Sequence, residues 1–139
     1  MTSLETLGGF VGRLGLRLAE SDEDRVVIRW PVHAELLQPD GTVHRGVFCT
    51  VVETAASTAA TSWLGDAGRA VPVSMQMDFV ADARDGELTA TARPIHRGRS
   101  QQLWTVEITD QRARLVGRGQ VRLQNLPAEN PPTAGAAPR

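Results

Sequence analysis

Residues 43–64 read VHRGVFCTVVETAASTAATSWL, and their interpretation decides the fold. The stretch is almost wholly small and apolar, with one carboxylate, Glu53, near its middle. Thr42 ahead of it offers a side-chain oxygen that can cap a helix, and Gly65 and Gly68 behind it are stop signals. The spacing predicts a helix running to about Leu64, roughly 30 Å long at 1.5 Å per residue. At about 100° per residue, Phe48, Val51, Ala55 and Ala59 form a stripe suited to packing on a sheet, with Ser62 continuing that side. Gly46, Cys49, Glu53, Ser57 and Ala60 share the opposite side, so Glu53 points away from the core of its own chain.

Outward from the helix the period becomes two. Leu14, Leu16 and Leu18 alternate with Gly15, Arg17 and Ala19, and Val26, Ile28 and Trp30 alternate with Val27 and Arg29. These segments predict a hairpin about the polar turn at residues 21–24. A short helix is expected before it, over Thr2 to Leu7. Pro31 ends the second strand, and Leu36 to Thr42 is a loop with Pro39, Asp40 and Gly41 as turn formers. Beyond the helix, Val73, Met75, Met77 and Phe79 face one way, and Ser74, Gln76 and Asp78 face the other. The same alternation recurs at Leu88, Ala90 and Ala92, at Trp104, Val106 and Ile108, and at Leu115, Val121 and Leu123 around Gly117 and Gly119. Four half-buried antiparallel strands are expected. Residues 127–139, PAENPPTAGAAPR, have almost nothing to bury and are expected to be a disordered tail, leaving one domain over residues 1–126. The order of two strands, a long helix and four strands is that of an α+β domain, one sheet covering one helix.

A chain of 139 residues can bury a core large enough to fold alone. Its formal net charge of −1 gives no basis for binding nucleic acid or an anionic membrane surface. Cys49 is the only cysteine, which rules out an intrachain disulfide and fits a reducing compartment. No signal peptide pattern opens the chain and no apolar run approaches ~20 residues, so a cytoplasmic protein is expected. His33, His44 and His96 are scattered without a cysteine pair, so no metal site is expected. No Gly-x-Ser-x-Gly elbow occurs, and neither Gly12-x-x-Gly15 nor Gly117-x-Gly119 opens a helix as a dinucleotide loop does. Trp30, Trp63 and Trp104 are most simply core or interface residues.

A glutamate on a polar helix face is usually solvated and nothing more. The face around Glu53 is different, because no other charge occurs between Gly46 and Leu64. Its neighbours are Cys, Thr, Ser and Ala, small enough for a second subunit to approach. A carboxylate in such a contact is partly desolvated, which raises its basicity and suits a general base or nucleophile. His44, Arg45 and Gly46 occupy the helix start, where backbone N–H groups lack intrahelical partners and favour negative charge. Such an end can hold a developing oxyanion.

Gln38-Pro39-x-Gly41-x-Val43-His44-x-Gly46-Val47, followed by Glu53-Thr54-x-Ala56-Ser57, resembles the signature of hotdog-fold acyl-CoA thioesterases. The subgroup it resembles holds the 4-hydroxybenzoyl-CoA and 1,4-dihydroxy-2-naphthoyl-CoA thioesterases, related to the phenylacetate-pathway thioesterases. Pro94-x-His96-x-Gly98-Arg99 with Gln102-x-Trp104 matches the same subgroup. The resemblance covers roughly Leu14 to Leu123, and the spacing of nine from His44 to Glu53 is specific.

It implies a hotdog fold, an antiparallel sheet wrapped around one long central helix, and hydrolysis of a CoA thioester with an aromatic or compact acyl group. Glu53 would attack the thioester carbonyl or activate water, and the Arg45 N–H, at the Arg45/Gly46 helix end, would polarise the carbonyl oxygen. Gln38 and His44 would orient the thioester or the water, and Ser57 would hold the water or the acyl end. The site would lie between the subunits of a homodimer, with pairs of dimers commonly forming a homotetramer. No metal or redox cofactor is implied, coenzyme A being part of the substrate. The basic cluster His96, Arg97, Gly98 and Arg99 would grip coenzyme A phosphates, to which arginine forks are matched.

Three departures bear on the acyl group. Arg45 replaces the first of two glycines, with strain if that position needs positive φ. Ala81-Asp82 stands for a frequent Arg-Pro, and Phe79 for a histidine. Arg45 would narrow the site or bind an acidic acyl group, and it also supports a second reading, a hotdog protein that binds acyl-CoA without turnover. A hydratase or dehydratase, using His44 and Glu53 for proton transfer, ranks third.

Overall fold

The structure is a computed structural model and describes residues 2–4 and 8–129. Among these residues, seven strands form one antiparallel sheet: β1 (Thr2–Ser3), β2 (Arg17–Ser21), β3 (Val26–Pro31), β4 (Gly68–Phe79), β5 (Glu87–Arg97), β6 (Gln101–Thr109) and β7 (Leu115–Pro127). Their order is β1-β2-β3-β5-β6-β7-β4. A short helix α1 (Gly9–Gly12) precedes β2. The long helix α2 (Arg45–Leu64) connects β3 to β4 and therefore crosses the sheet to reach its far edge. No helix among the described residues is long and apolar enough to cross a membrane.

The core lies between α2 and the concave face of the sheet. Phe48, Val51, Ala55 and Ala59 are buried, in keeping with their spacing, and Val52, Ala56 and Ala60 join them. Opposite them are Trp30, Leu88, Trp104, Val106, Ile108 and Val121. Ala60, placed on the outer side by helical periodicity, is instead inside, where the buried Gln102 side chain of β6 donates to its carbonyl. Close approach needs Gly119 on β7, where a Cβ would sit 2.6 Å from a Val52 methyl and would also collide with the Met77 sulfur.

Several local expectations are corrected. Thr2 and Ser3, expected in a helix, pair with Leu18 and Arg17 as a strand, and residues 5–7 lie outside the described residues. Leu14 and Leu16 are buried, yet the strand starts only at Arg17 because Gly15, at φ 72, turns the chain. The α2 cap is His44 rather than Thr42. On β4 most of the expected apolar face is left open: the strand carries a bulge after Pro72, and Val73, Met75 and Phe79 are 55%, 42% and 42% exposed, while Met77 packs on the core. β7 continues through Pro127, one residue into the expected tail, and Ala128 donates its N–H to the Ala67 carbonyl at 3.1 Å. The remainder of that tail, residues 130–139, lies outside the described residues.

Candidate active site

The segment before α2 is a tight, self-satisfied loop. Gly41 donates its N–H to the Gln38 carbonyl at 2.9 Å and adopts φ 82, which glycine accommodates without strain. Asp40 accepts from both the N–H (2.9 Å) and the hydroxyl (2.7 Å) of Thr42, and these bonds hold its carboxyl below the usual carboxylate range. Thr42 is thereby committed to the loop and does not cap the helix. The Gln38 side-chain NH₂ donates to the Thr42 hydroxyl at 2.8 Å, which fixes the amide beside the helix start.

His44 opens α2 with φ −58 and ψ 131, and its Nδ1 accepts the Gly46 N–H at 2.8 Å. A Cβ at Gly46 would lie 2.8 Å from that same Nδ1, so the second family glycine is retained because the imidazole closes over it. The first is dispensable: Arg45 is an ordinary helical residue, and the strain considered for it does not arise. With the Gly46 donor taken by His44, Arg45 at the first helical position offers the N–H for an oxyanion.

Glu53 is exposed, and no ion pair or hydrogen bond among the described residues holds its carboxylate. It stands on a stripe whose hydroxyls are turned inward: Thr50, Thr54 and Thr58 each donate to the carbonyl four residues earlier, at 3.0, 2.7 and 2.7 Å. Such hydroxyls need no water, so the stripe is easily desolvated. Ser57, one turn beyond Glu53, has a buried Oγ with no hydrogen-bond partner. Cys49, one turn before, is half-buried, and burial pushes its thiol up.

Arg45 and Glu53 are eight residues apart, about 12 Å along the helix axis. The basic turn after β5 lies at the other end of α2. There Arg97 stacks on Trp63 and Trp104, with its Cζ 5.6 and 5.9 Å from the ring centres, and pairs with Asp24 at 2.9 Å. Arg97 is thus engaged inside the chain, while His96 and Arg99 remain exposed. The turn is pinned from beneath by an amide network that sequence reasoning missed. Fully buried Gln102 donates to the Ala60 carbonyl (3.2 Å) and to Asn125 (2.8 Å), and accepts from the Trp104 indole (2.8 Å). Asn125 in turn donates to the carbonyls of Gly98 and Arg99, at 2.9 and 3.1 Å. A signal for it exists in the sequence, since residue 102 shares the inward phase of Trp104, Val106 and Ile108.

Residues 40–116, more than half of the chain and spanning the helix stripe and the basic turn, match the thioesterase superfamily. The chain belongs to that superfamily. This bears out the hotdog fold and the acyl-CoA thioesterase class that the motifs implied. Its solved relatives include AziG of S. sahachiroi, with 54% identity, a TM-score of 0.84, and coverage of 87% of this chain and 98% of that one. The 1,4-dihydroxy-2-naphthoyl-CoA hydrolase of Escherichia coli is 29% identical, over 78% of this chain and 79% of its own. SAV0944 of Staphylococcus aureus is 26% identical with a TM-score of 0.82, over 86% of this chain and 99% of that one. Solved forms of that thioesterase carry alanine at a glutamate and at a glutamine fifteen positions apart, the separation of Gln38 and Glu53 here.

Proposed function

We propose that this thioesterase hydrolyses the CoA thioester of an aromatic or otherwise compact acyl group in a site shared by two copies of the chain. The observation that carries the reading is Glu53 itself, a lone and unpaired carboxylate on a helix face that is otherwise neutral, small and internally satisfied. A second copy covering that face would desolvate Glu53. The uncovered β4 edge with Val73 and Met75 favours the same contact, since an unpaired strand recruits another.

In the chemistry we assign, the thioester oxygen sits on the Arg45 N–H. Glu53 takes a proton from water as hydroxide adds to the carbonyl carbon, or attacks that carbon directly. The tetrahedral oxyanion collapses, the C–S bond breaks, and the CoA thiolate takes up a proton, from Glu53 on the water route; on the direct route water then hydrolyses the acyl–Glu53 anhydride, releasing the acid and restoring the carboxylate. Within one chain the axial gap of about 12 Å is long for a donor and a base that act on one carbonyl. We therefore assign Glu53 of one subunit to the helix start of its partner, in a homodimer, two of which can pair as a tetramer. Gln38 and His44 orient the thioester or the water, and Ser57 holds the water. His96, Gly98 and Arg99 meet the CoA phosphates while Arg97 braces their turn. These steps use a carboxylate, water and N–H donors, coenzyme A being part of the substrate. A reducing, cytoplasmic setting keeps Cys49 a thiol.

Thiol release from a panel of aromatic and aliphatic acyl-CoAs, wild type against Glu53→Gln, tests the reading. Turnover that falls by orders of magnitude in a folded variant supports it. Equal turnover in both would make Glu53 a bystander. Wild-type protein stabilised by acyl-CoA without turning over any member would favour the binding-only alternative.

A further inference from the structure

The three positions at which this chain departs from its family pattern fall in two distant stretches, Arg45 and residues 79–82, that are adjacent in space. The N–H of Val43 donates to the Ala83 carbonyl at 2.8 Å, which draws the loop after β4 against the start of α2. There an Arg45 guanidinium nitrogen lies 3.3 Å from an Asp82 carboxylate oxygen, and its Cζ lies 6.0 Å from the centre of the Phe79 ring. The three side chains rim a pocket of about 160 Å³. Val43 and Phe48 lie beneath it, both buried, and Arg45, whose backbone N–H is assigned to the thioester oxygen, forms part of its wall.

From this juxtaposition we infer that Arg45 and Asp82 act as one charge filter for the acyl group, with Asp82 the residue that decides its sign. Alone at this rim, a guanidinium would attract a carboxylate-bearing acyl group and grip it with two parallel hydrogen bonds. Paired with Asp82 it presents a neutral rim. A substrate carboxylate entering there meets a second carboxylate and must displace it before reaching Arg45. An uncharged acyl group meets the exposed Phe79 ring without such a contest. Both rim side chains are about half exposed, so the pair is weak as a brace for the fold and little structure depends on it. Its consequence is selectivity: the filter passes neutral acyl groups and turns away acidic ones, and losing Asp82 relaxes that choice.

The inference rests on the thioesterase reading, and the test separates the two. Benzoyl-CoA and its 3-carboxy and 4-carboxy derivatives are compared as substrates of the wild type, Asp82→Asn and Asp82→Ala, with kcat/KM measured at low and at physiological salt. In the wild type the neutral thioester is favoured over both acidic ones by about tenfold or more. Both variants raise kcat/KM for at least one carboxylated substrate by about tenfold, with a gain that shrinks as salt rises, while benzoyl-CoA changes little. A wild type that favours the acidic thioesters, or variants that leave the ratio unchanged, would overturn the filter and leave the thioesterase standing. No turnover of any thioester by the wild type would overturn both.

Discussion

Proline at position 45 removes one hydrogen-bond donor and little else. Arg45 is the first residue of α2, so its N–H has no carbonyl four residues earlier within the helix to lose. Proline is favoured at that position, and the residue before it must be extended or polyproline-like. His44 already is, at φ −58 and ψ 131. The substitution also deletes the ion pair between the Arg45 side chain and Asp82, which is exposed and worth about 0–1 kcal/mol. Removing a single oxyanion donor lowers kcat by about 10²–10³, or about 2.7–4 kcal/mol. The Gly46 N–H does not stand in for it, being held by His44 Nδ1 at 2.8 Å.

We therefore expect Arg45→Pro to melt near the wild type and to lose about two to three orders of magnitude in kcat. Arg45→Ala, which keeps the N–H, retains most of kcat. The assay is thiol release under saturating acyl-CoA, with thermal unfolding followed by circular dichroism. Equal kcat for the proline and alanine variants refutes the oxyanion assignment. The same pair of lesions reports how the site is shared. A heterodimer of one Glu53→Gln and one Arg45→Pro subunit, isolated by two affinity tags, has one intact site if the groups act across the interface. About half the wild-type turnover then returns, since a two-fold dimer has two such sites. If both groups came from one subunit, no site would be intact.

Gln102→Leu leaves the Trp104 indole N–H and the Asn125 amide without their partner, costing about 1–3 kcal/mol in urea unfolding. By loosening the turn that carries His96 and Arg99 it should also raise KM for acyl-CoA more than it lowers kcat. Gly119→Ala forces a methyl against Val52 and Met77 and should cost about 1–3 kcal/mol in the same unfolding assay. Burial raises the Cys49 thiol, so the thiolate fraction at neutral pH is below that of a free cysteine. Alkylation should be slower than for a small thiol at pH 7–8 and should accelerate on raising the pH further; a rate equal to the small thiol's at pH 7 contradicts this.

Much of the molecule is legible in the sequence because its signals are periodic and local. The α2 stripe, the glycine stop at Gly65 and the inward phases of β5, β6 and β7 follow from side-chain geometry along one element. Glu53 is legible for another reason, its isolation among small neutral residues, which needs no coordinates to see. The readings that fail are those in which a local pattern has two solutions. Leu14 and Leu16 alternate like a strand yet are buried from a turn, and of the apolar phase of β4 only Met77 packs on the core, Val73, Met75 and Phe79 being exposed.

Sequence by itself therefore determined the single long helix, most of the strands and the candidate residues for the chemistry, since each depends on neighbours within a few positions. Tertiary structure decided which groups are free to act. His44 takes the Gly46 donor and leaves that of Arg45, Asp24 and two tryptophans occupy Arg97, and Gln102 reaches across to Asn125 beneath the basic turn. It also decided that Arg45, Phe79 and Asp82 meet at one pocket. Such assignments depend on hydrogen bonds and contacts between residues up to dozens of positions apart, and only the path of the chain through space brings their partners within reach.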